Sequence, residues 1–74
     1  MMKIELSGEQ VDLLNKVKAP YDPNQDFSVG DALDELLDFL EDYVVMNEII
    51  QDEVTELGEQ LLVIHDYIVD KYDN

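Results

Sequence analysis

Three oxygen-bearing side chains, those of Asp22, Asn24 and Asp26, stand at alternate positions in the N-terminal half of the chain. Many calcium-binding loops begin with oxygen-bearing side chains at this spacing, because hard cations prefer carboxylate and amide oxygens. The rest of such a loop is missing. Phe27 replaces the glycine of the sharp turn, and Leu33 stands where a bidentate carboxylate is needed. We therefore interpret the segment as a turn and assign no metal ligand, with calcium binding by these three residues as the alternative.

Side chains suited to catalysis are few. His65 is the only histidine, and we expect it to lie partly buried on a helix surface beside carboxylates such as that of Asp66. Ser7, Ser28 and Thr55 are the only hydroxyl side chains besides the tyrosines, and their positions favour helix capping. The three glycines are isolated, so no phosphate-binding loop is formed. The sequence predicts no catalytic residue, no cofactor and no enzymatic activity.

The most pronounced chemical feature is a run of carboxylates in the middle of the chain. Six acids within twelve residues of a helix would cover about 18 Å, or about one charge per 3 Å. One strand of duplex DNA carries about one charge per 3.4 Å. Acids opposite an apolar helix face are also what any soluble acidic helix has, and this is the simpler interpretation. As candidate partner-binding residues we select Asp31, Asp34, Glu35, Asp38, Glu41 and Asp42.

The overall charge restricts the classes of partner. The 74 residues include 19 acids and only four basic residues, all lysines, which gives a net charge of −15. Such a chain repels nucleic acid and anionic membranes, so neither is an expected direct partner, whereas a basic protein surface is. The absence of cysteine and of an apolar leader favours a cytoplasmic location.

The start of the acidic segment resembles acyl carrier proteins, which are acidic helical domains with an Asp-Ser-Leu motif at the start of their second helix. This chain has Asp31-Ala32-Leu33 there, followed by Leu40-Glu41-Asp42. The resemblance would imply a phosphopantetheine carrier, but Ala32 occupies the position of the serine that carries the group. Carrier chemistry is excluded at that position, and we assign the chain to no family.

Hydrophobic periodicity predicts three helices, at about residues 8–18, 29–48 and 55–71. Ser7 with Gln10 forms a capping-box pattern for the first, and Ser28 is the predicted cap of the second. The three-four spacing of apolar residues continues from residue 29 to residue 68, which is also compatible with one long coiled-coil helix. Gly58 and the polar residues before Thr55 favour a break within residues 47–55 instead.

We therefore predict a single all-α domain over residues 1–74, a small three-helix bundle. Dimerisation through helices 2 and 3 is an open alternative, because the apolar stripe of residues 29–46 is wide. The predicted function is a protein-interaction module that docks on a basic partner. One form of this is an inhibitor of the phage or mobile-element type that mimics nucleic acid. The alternative is a self-assembling structural helical protein.

Overall fold

The computed structural model describes residues 2–72 and contains three helices and one short hairpin. In chain order these are helix α1 (Gly8–Lys16), helix α2 (Ala32–Asn47), strands β1 (Ile49–Ile50) and β2 (Glu53–Val54), and helix α3 (Glu56–Tyr72). The chain is thus mostly helical, as predicted, but not purely all-α, because a two-stranded antiparallel sheet joins α2 to α3.

The start of α1 is as the sequence predicts, and its end is not. Gln10 N–H donates to the Ser7 hydroxyl at 3.2 Å, and the Gln10 side chain accepts from Ser7 N–H at 2.9 Å, which completes the capping box. The prediction that the helix continues to residue 18 is wrong. Val17 is the C-cap, and Lys18 has a φ of 61°, in the left-handed region where an α-helix cannot continue.

Helix α2 begins three residues later than predicted, and Ser28 does not cap it. Gly30 has a φ of 58°, which breaks the helical conformation, and Asp31 is the N-cap without a side-chain hydrogen bond. The Ser28 hydroxyl instead donates to the Asp26 carboxylate at 2.6 Å, so it belongs to the preceding turn. Val29, predicted as the first apolar residue of the helix, is 65% exposed in that turn.

The break between the second and third helices falls within the predicted residues 47–55. Ile49 pairs with Val54 and Ile50 with Glu53 in an antiparallel hairpin. The two residues between the strands, Gln51 and Asp52, have φ values of 52° and 67°. A two-residue turn with positive φ at both central residues has a twist that matches the twist of the two hairpin strands. The single long helix therefore does not form.

Helices α2 and α3 lie antiparallel and form most of the core. The Thr55 hydroxyl donates to the Glu48 carboxylate at 2.7 Å and accepts from Gly58 N–H, which caps the start of α3. Further along, the side chains of Glu41 and His65 meet. Contacts at 48 with 55 and at 41 with 65 fix the opposite directions of the two helices. The innermost side chains on this contact are Leu36, Leu40, Leu61, Ile64 and Ile68.

An irregular N-terminal segment, residues 2–6, completes the core. Ile4 is 1% exposed, and its carbonyl oxygen accepts a hydrogen bond from the Tyr21 hydroxyl at 2.8 Å. Phe27 N–H donates to the Met2 carbonyl oxygen at 2.8 Å. Glu5 N–H donates to the Tyr72 hydroxyl at 3.0 Å. These bonds hold the segment between the 19–31 loop and the end of α3.

Within residues 2–72, none of the helices combines the length and the apolar composition needed to cross a lipid bilayer.

Candidate functional site

The acidic stripe, defined as Asp31, Asp34, Glu35, Asp38, Glu41 and Asp42, lies on the surface of α2 and at its N-cap. All six residues are exposed, as predicted from the sequence. At 100° per residue, the five members within the helix fall within an arc of about 120°. The opposite side of α2 carries its buried residues, Leu36, Leu37, Leu40 and Val44. The stripe is therefore one continuous face directed away from the core.

The basic residues lie elsewhere in the fold. Lys3, Lys16 and Lys18 belong to the N-terminal segment and the end of α1, and Lys71 lies at the end of α3. The Lys71 ammonium donates to the Tyr67 hydroxyl at 3.2 Å, and this bond raises the pKa of Lys71. Across residues 2–72, no lysine forms an ion pair with a carboxylate. The field of the acidic stripe is thus not cancelled by neighbouring lysines.

His65 contacts one member of the acidic stripe. Its Nε2 atom lies 3.0 Å from Glu41 Oε1, and its Nδ1 atom lies 3.4 Å from Asp66 Oδ1. The His65 side chain is 14% exposed, which confirms the predicted partly buried position beside carboxylates. The contact ties α2 to α3, so Glu41 has a structural partner that the other members of the acidic stripe do not share in the contacts described.

The segment with Asp22, Asn24 and Asp26 is a turn, and its carboxylates bond to the chain itself. Asp22 Oδ1 accepts from Asn24 N–H at 2.7 Å, which is an Asx turn. Asp26 Oδ1 accepts from the Ser28 hydroxyl, from Met2 N–H and from Ser28 N–H. Among residues 2–72 no three His, Cys, Asp or Glu side chains converge as a metal site would require. These contacts agree with the turn interpretation of the segment.

Those hydrogen bonds lower the pKa of the Asp26 carboxyl to about 2, with the Ser28 hydroxyl as the largest cause and the Met2 N–H next. A carboxyl whose pKa is lower in the folded than in the unfolded chain stabilises the fold above its unfolded pKa. This contribution is therefore complete at neutral pH and is lost as the pH falls from about 4 to about 2.

We expect Asp26→Asn to lower the melting temperature at pH 6, because an amide oxygen is a weaker acceptor than a carboxylate. The difference from the wild type should shrink as the pH falls from about 4 and vanish near pH 2, where Asp26 itself becomes protonated. Thermal melts followed by circular dichroism would measure it. Asp12→Asn, on the exposed face of α1, removes the same charge without the hydrogen bonds from Met2 and Ser28, so it should change the melting temperature much less. A pH-independent difference for Asp26→Asn would contradict the prediction.

An open groove of about 380 Å³ lies between α1 and α3. Leu13, Val63 and Ile64 supply its apolar surface, and its polar groups are glutamates and glutamines: Glu9, Glu56, Glu59, Gln10 and Gln60. No histidine, serine or threonine lines it, so the groove holds no pairing of a base with a hydroxyl nucleophile. The Ser7, Ser28 and Thr55 hydroxyls are occupied in a cap or a turn.

One surface feature was missed by the sequence analysis. The apolar patch, defined as Val45, Met46, Ile49 and Ile50, lies at the end of α2 and in β1, and all four side chains are exposed. Periodicity placed Met46 in the apolar stripe of residues 29–46, opposite the acids. The available signal was the unbroken apolar run from Tyr43 to Met46, because four consecutive residues surround a helix and cannot all face one core.

Comparison of the chain with models of protein families, with curated proteins and with solved structures finds no match.

Proposed function

We propose that the protein is a non-enzymatic cytoplasmic module that docks through the acidic stripe on the basic surface of a partner protein. The observation that carries the proposal is the arrangement of the stripe. Five exposed carboxylates occupy one face of α2, on the side away from the core, the sixth lies at the N-cap, and no lysine within residues 2–72 is paired with them. A field of this kind attracts a cationic surface and increases the association rate.

The rigid placement of the charges supports the same proposal. The opposite side of α2 is fixed in the core by Leu36, Leu40 and Val44, so the acids are held at helical spacing rather than on a mobile tail. A preorganised charge array loses little entropy on binding. Its spacing is close to that of phosphates along a DNA strand, and an inhibitor that occupies the nucleic-acid site of a basic protein is one form of the proposed module.

The alternative of self-assembly through the apolar stripe of residues 29–46 has less support. Leu36, Leu37, Leu40 and Val44 from that stripe are buried in the protein's own core. What remains exposed from it is Val29 at one end and Val45 and Met46 at the other. We therefore treat docking on a basic partner as the function that the geometry supports best.

The proposal is tested by affinity capture from nuclease-treated lysate at low salt, with elution in salt steps and identification by mass spectrometry. The variant carries Asp34→Lys and Asp38→Lys. Each change removes one negative charge and adds one positive charge, so the net charge rises by four, from −15 to −11. We expect a basic protein that binds the wild type and is lost with this variant, because the reversal places lysines opposite the partner's cations and like charges across an interface cost free energy.

The matched control carries Asp12→Lys and Asp70→Lys, at exposed positions on α1 and α3. It has the same net charge as the stripe variant and should retain the captured protein. Equal loss with both variants would mean that only net charge matters, and equal retention would mean that the stripe is a solvated surface. Either result rejects the proposal. Release of the captured protein by duplex DNA would identify the nucleic-acid-mimicking form.

A further inference from the structure

The apolar patch is unusual for a chain with this charge. Val45, Met46, Ile49 and Ile50 are exposed by 64, 79, 43 and 61%, and they lie within six consecutive residues. Single exposed apolar residues are normal on protein surfaces, but a contiguous group of large ones generally marks an interaction site. Methionine adds an unbranched, polarisable side chain that adapts to the shape of a partner.

The patch continues the acidic stripe along α2. Val45 lies seven residues after Asp38, and Met46 lies four residues after Asp42. Residues at these spacings share a helix face, so Val45 falls inside the arc of the acids and Met46 lies at its edge. The acids end and the apolar side chains begin within about 5 Å along the helix axis. The stripe and the helical part of the patch, Val45 and Met46, thus form one surface with an acidic part and an apolar part.

The surroundings of the patch oppose its coverage by a second copy of this chain. Asp42, Asp52 and Glu53 border it and are exposed, and Glu48 is half-buried between α2 and β1. A symmetric dimer through the patch would bring two such sets of carboxylates together in a pair of chains that each carry −15. Like charges placed opposite one another at an interface cost free energy. A cationic partner meets the same acids with complementary charge.

We propose that the apolar patch anchors a bipartite interface and that the occupant is a cationic amphipathic helix of a partner protein. Its lysines and arginines would face the acidic stripe, and its apolar side chains would cover Val45 and Met46. From Asp34 to Met46 the surface extends about 18 Å, which matches about three turns of a partner helix. The inference rests on the proposed function and specifies the chemistry of the partner.

The two parts of the surface have different roles in binding. The carboxylates accelerate association and their effect weakens with salt, since exposed charges are screened. The apolar side chains lose water only when the complex is formed, so they slow dissociation and are little affected by moderate salt. This difference makes the two contributions separable in one experiment.

The experiment uses two synthetic helical peptides with the same length and the same lysines. One carries leucines along one face, and the other carries glutamines at those positions. Binding to the full chain is measured by fluorescence anisotropy at low and at high salt. We expect the leucine peptide to bind at least about tenfold more tightly, since burial of one or two apolar side chains is sufficient for that factor. At high salt only the leucine peptide should remain bound.

The decisive variant carries Val45→Ser and Met46→Ser. This variant should bind the leucine peptide about tenfold or more weakly than the wild type does, and it should bind the glutamine peptide with unchanged affinity. Val63→Ser is the matched control, because Val63 is also a helical valine and is 62% exposed, but on α3 in the groove facing α1. It should leave both peptides unchanged. Equal binding of the two peptides, or an unchanged affinity of the leucine peptide for the decisive variant, would overturn the inference.

Two further results distinguish a failure of this inference from a failure of the proposed docking function. If Asp34→Lys with Asp38→Lys leaves both peptides bound as before while Val45→Ser with Met46→Ser weakens the leucine peptide, the acidic docking function fails and the apolar anchor stands. If light scattering shows a wild-type dimer that Val45→Ser with Met46→Ser converts to a monomer, the occupant is a second copy and the heterologous assignment is overturned.

Discussion

Replacement of Phe27 by alanine is expected to lower the free energy of unfolding by about 3–5 kcal/mol. Phe27 is 2% exposed, and its ring stacks on that of Tyr21 with the centroids 5.8 Å apart. Truncation would remove this burial and leave a cavity beneath the N-terminal segment, which Phe27 N–H also holds through the Met2 carbonyl oxygen. Native domains are stable by only about 5–15 kcal/mol, and short chains lie at the low end.

Urea denaturation followed by circular dichroism would measure the loss. Phe39→Ala is the control, because Phe39 also stacks on a tyrosine, Tyr43, with the centroids 5.9 Å apart, but is only half-buried on α2. Phe39→Ala should lose clearly less free energy of unfolding than Phe27→Ala, since less apolar area returns to water and alanine favours the helix. Similar losses for the two variants would mean that Phe27 does not hold the loop and the N-terminal segment in the core.

Replacement of Gly58 by alanine is expected to destabilise the protein by about 1–3 kcal/mol, although alanine is the better helix former by about 1 kcal/mol. Gly58 is buried in the first turn of α3. A Cβ atom there would lie 2.8 Å from Val54 Cγ1 and 2.9 Å from Glu48 Cβ. Glu48 follows the end of α2, so relief of the contact requires a shift between that end and α3.

Gly8→Ala is the control, because Gly8 lies in the first turn of α1 and a Cβ atom there meets nothing within 4 Å. It should be neutral or slightly stabilising. The urea midpoints and m-values of the two variants and the wild type give the changes in the free energy of unfolding. A Gly58→Ala variant as stable as the wild type would show that α3 and the end of α2 separate easily.

The sequence predicts the helical part of this fold well where apolar periodicity and local capping agree. The capping box at Ser7 and Gln10 is confirmed, as is the cap at Thr55. The start of α2 was misplaced because Ser28 suits a cap as well as Asp31 does, and only the positive φ of Gly30 decides between them. The hairpin was missed because its strands have two residues each, too short for an alternation to be visible.

The candidate site was predictable only in part. The exposure of the acidic stripe follows from the rule that charges avoid a core, so Asp34 and Asp38 were placed correctly from sequence. The apolar patch was not, because an unbroken apolar run surrounds the helix, and the apolar spacing alone did not show which of its members face solvent. Val45 and Met46 are exposed because they lie toward the acidic side of α2, whereas Val44, next to them in sequence, is buried in the core.

The bond from Glu5 N–H to the Tyr72 hydroxyl joins residues that are 67 positions apart. The contacts that join α2 to α3, such as Glu48 with Thr55 and Glu41 with His65, connect residues closer in sequence than Glu5 and Tyr72, so this pair is suited to form earlier. Ile4, by contrast, gains its buried site only when the 19–31 loop and the end of α3 are both in place. The N-terminal segment is synthesised before α3 and therefore completes its native contacts only after the end of α3 has been made.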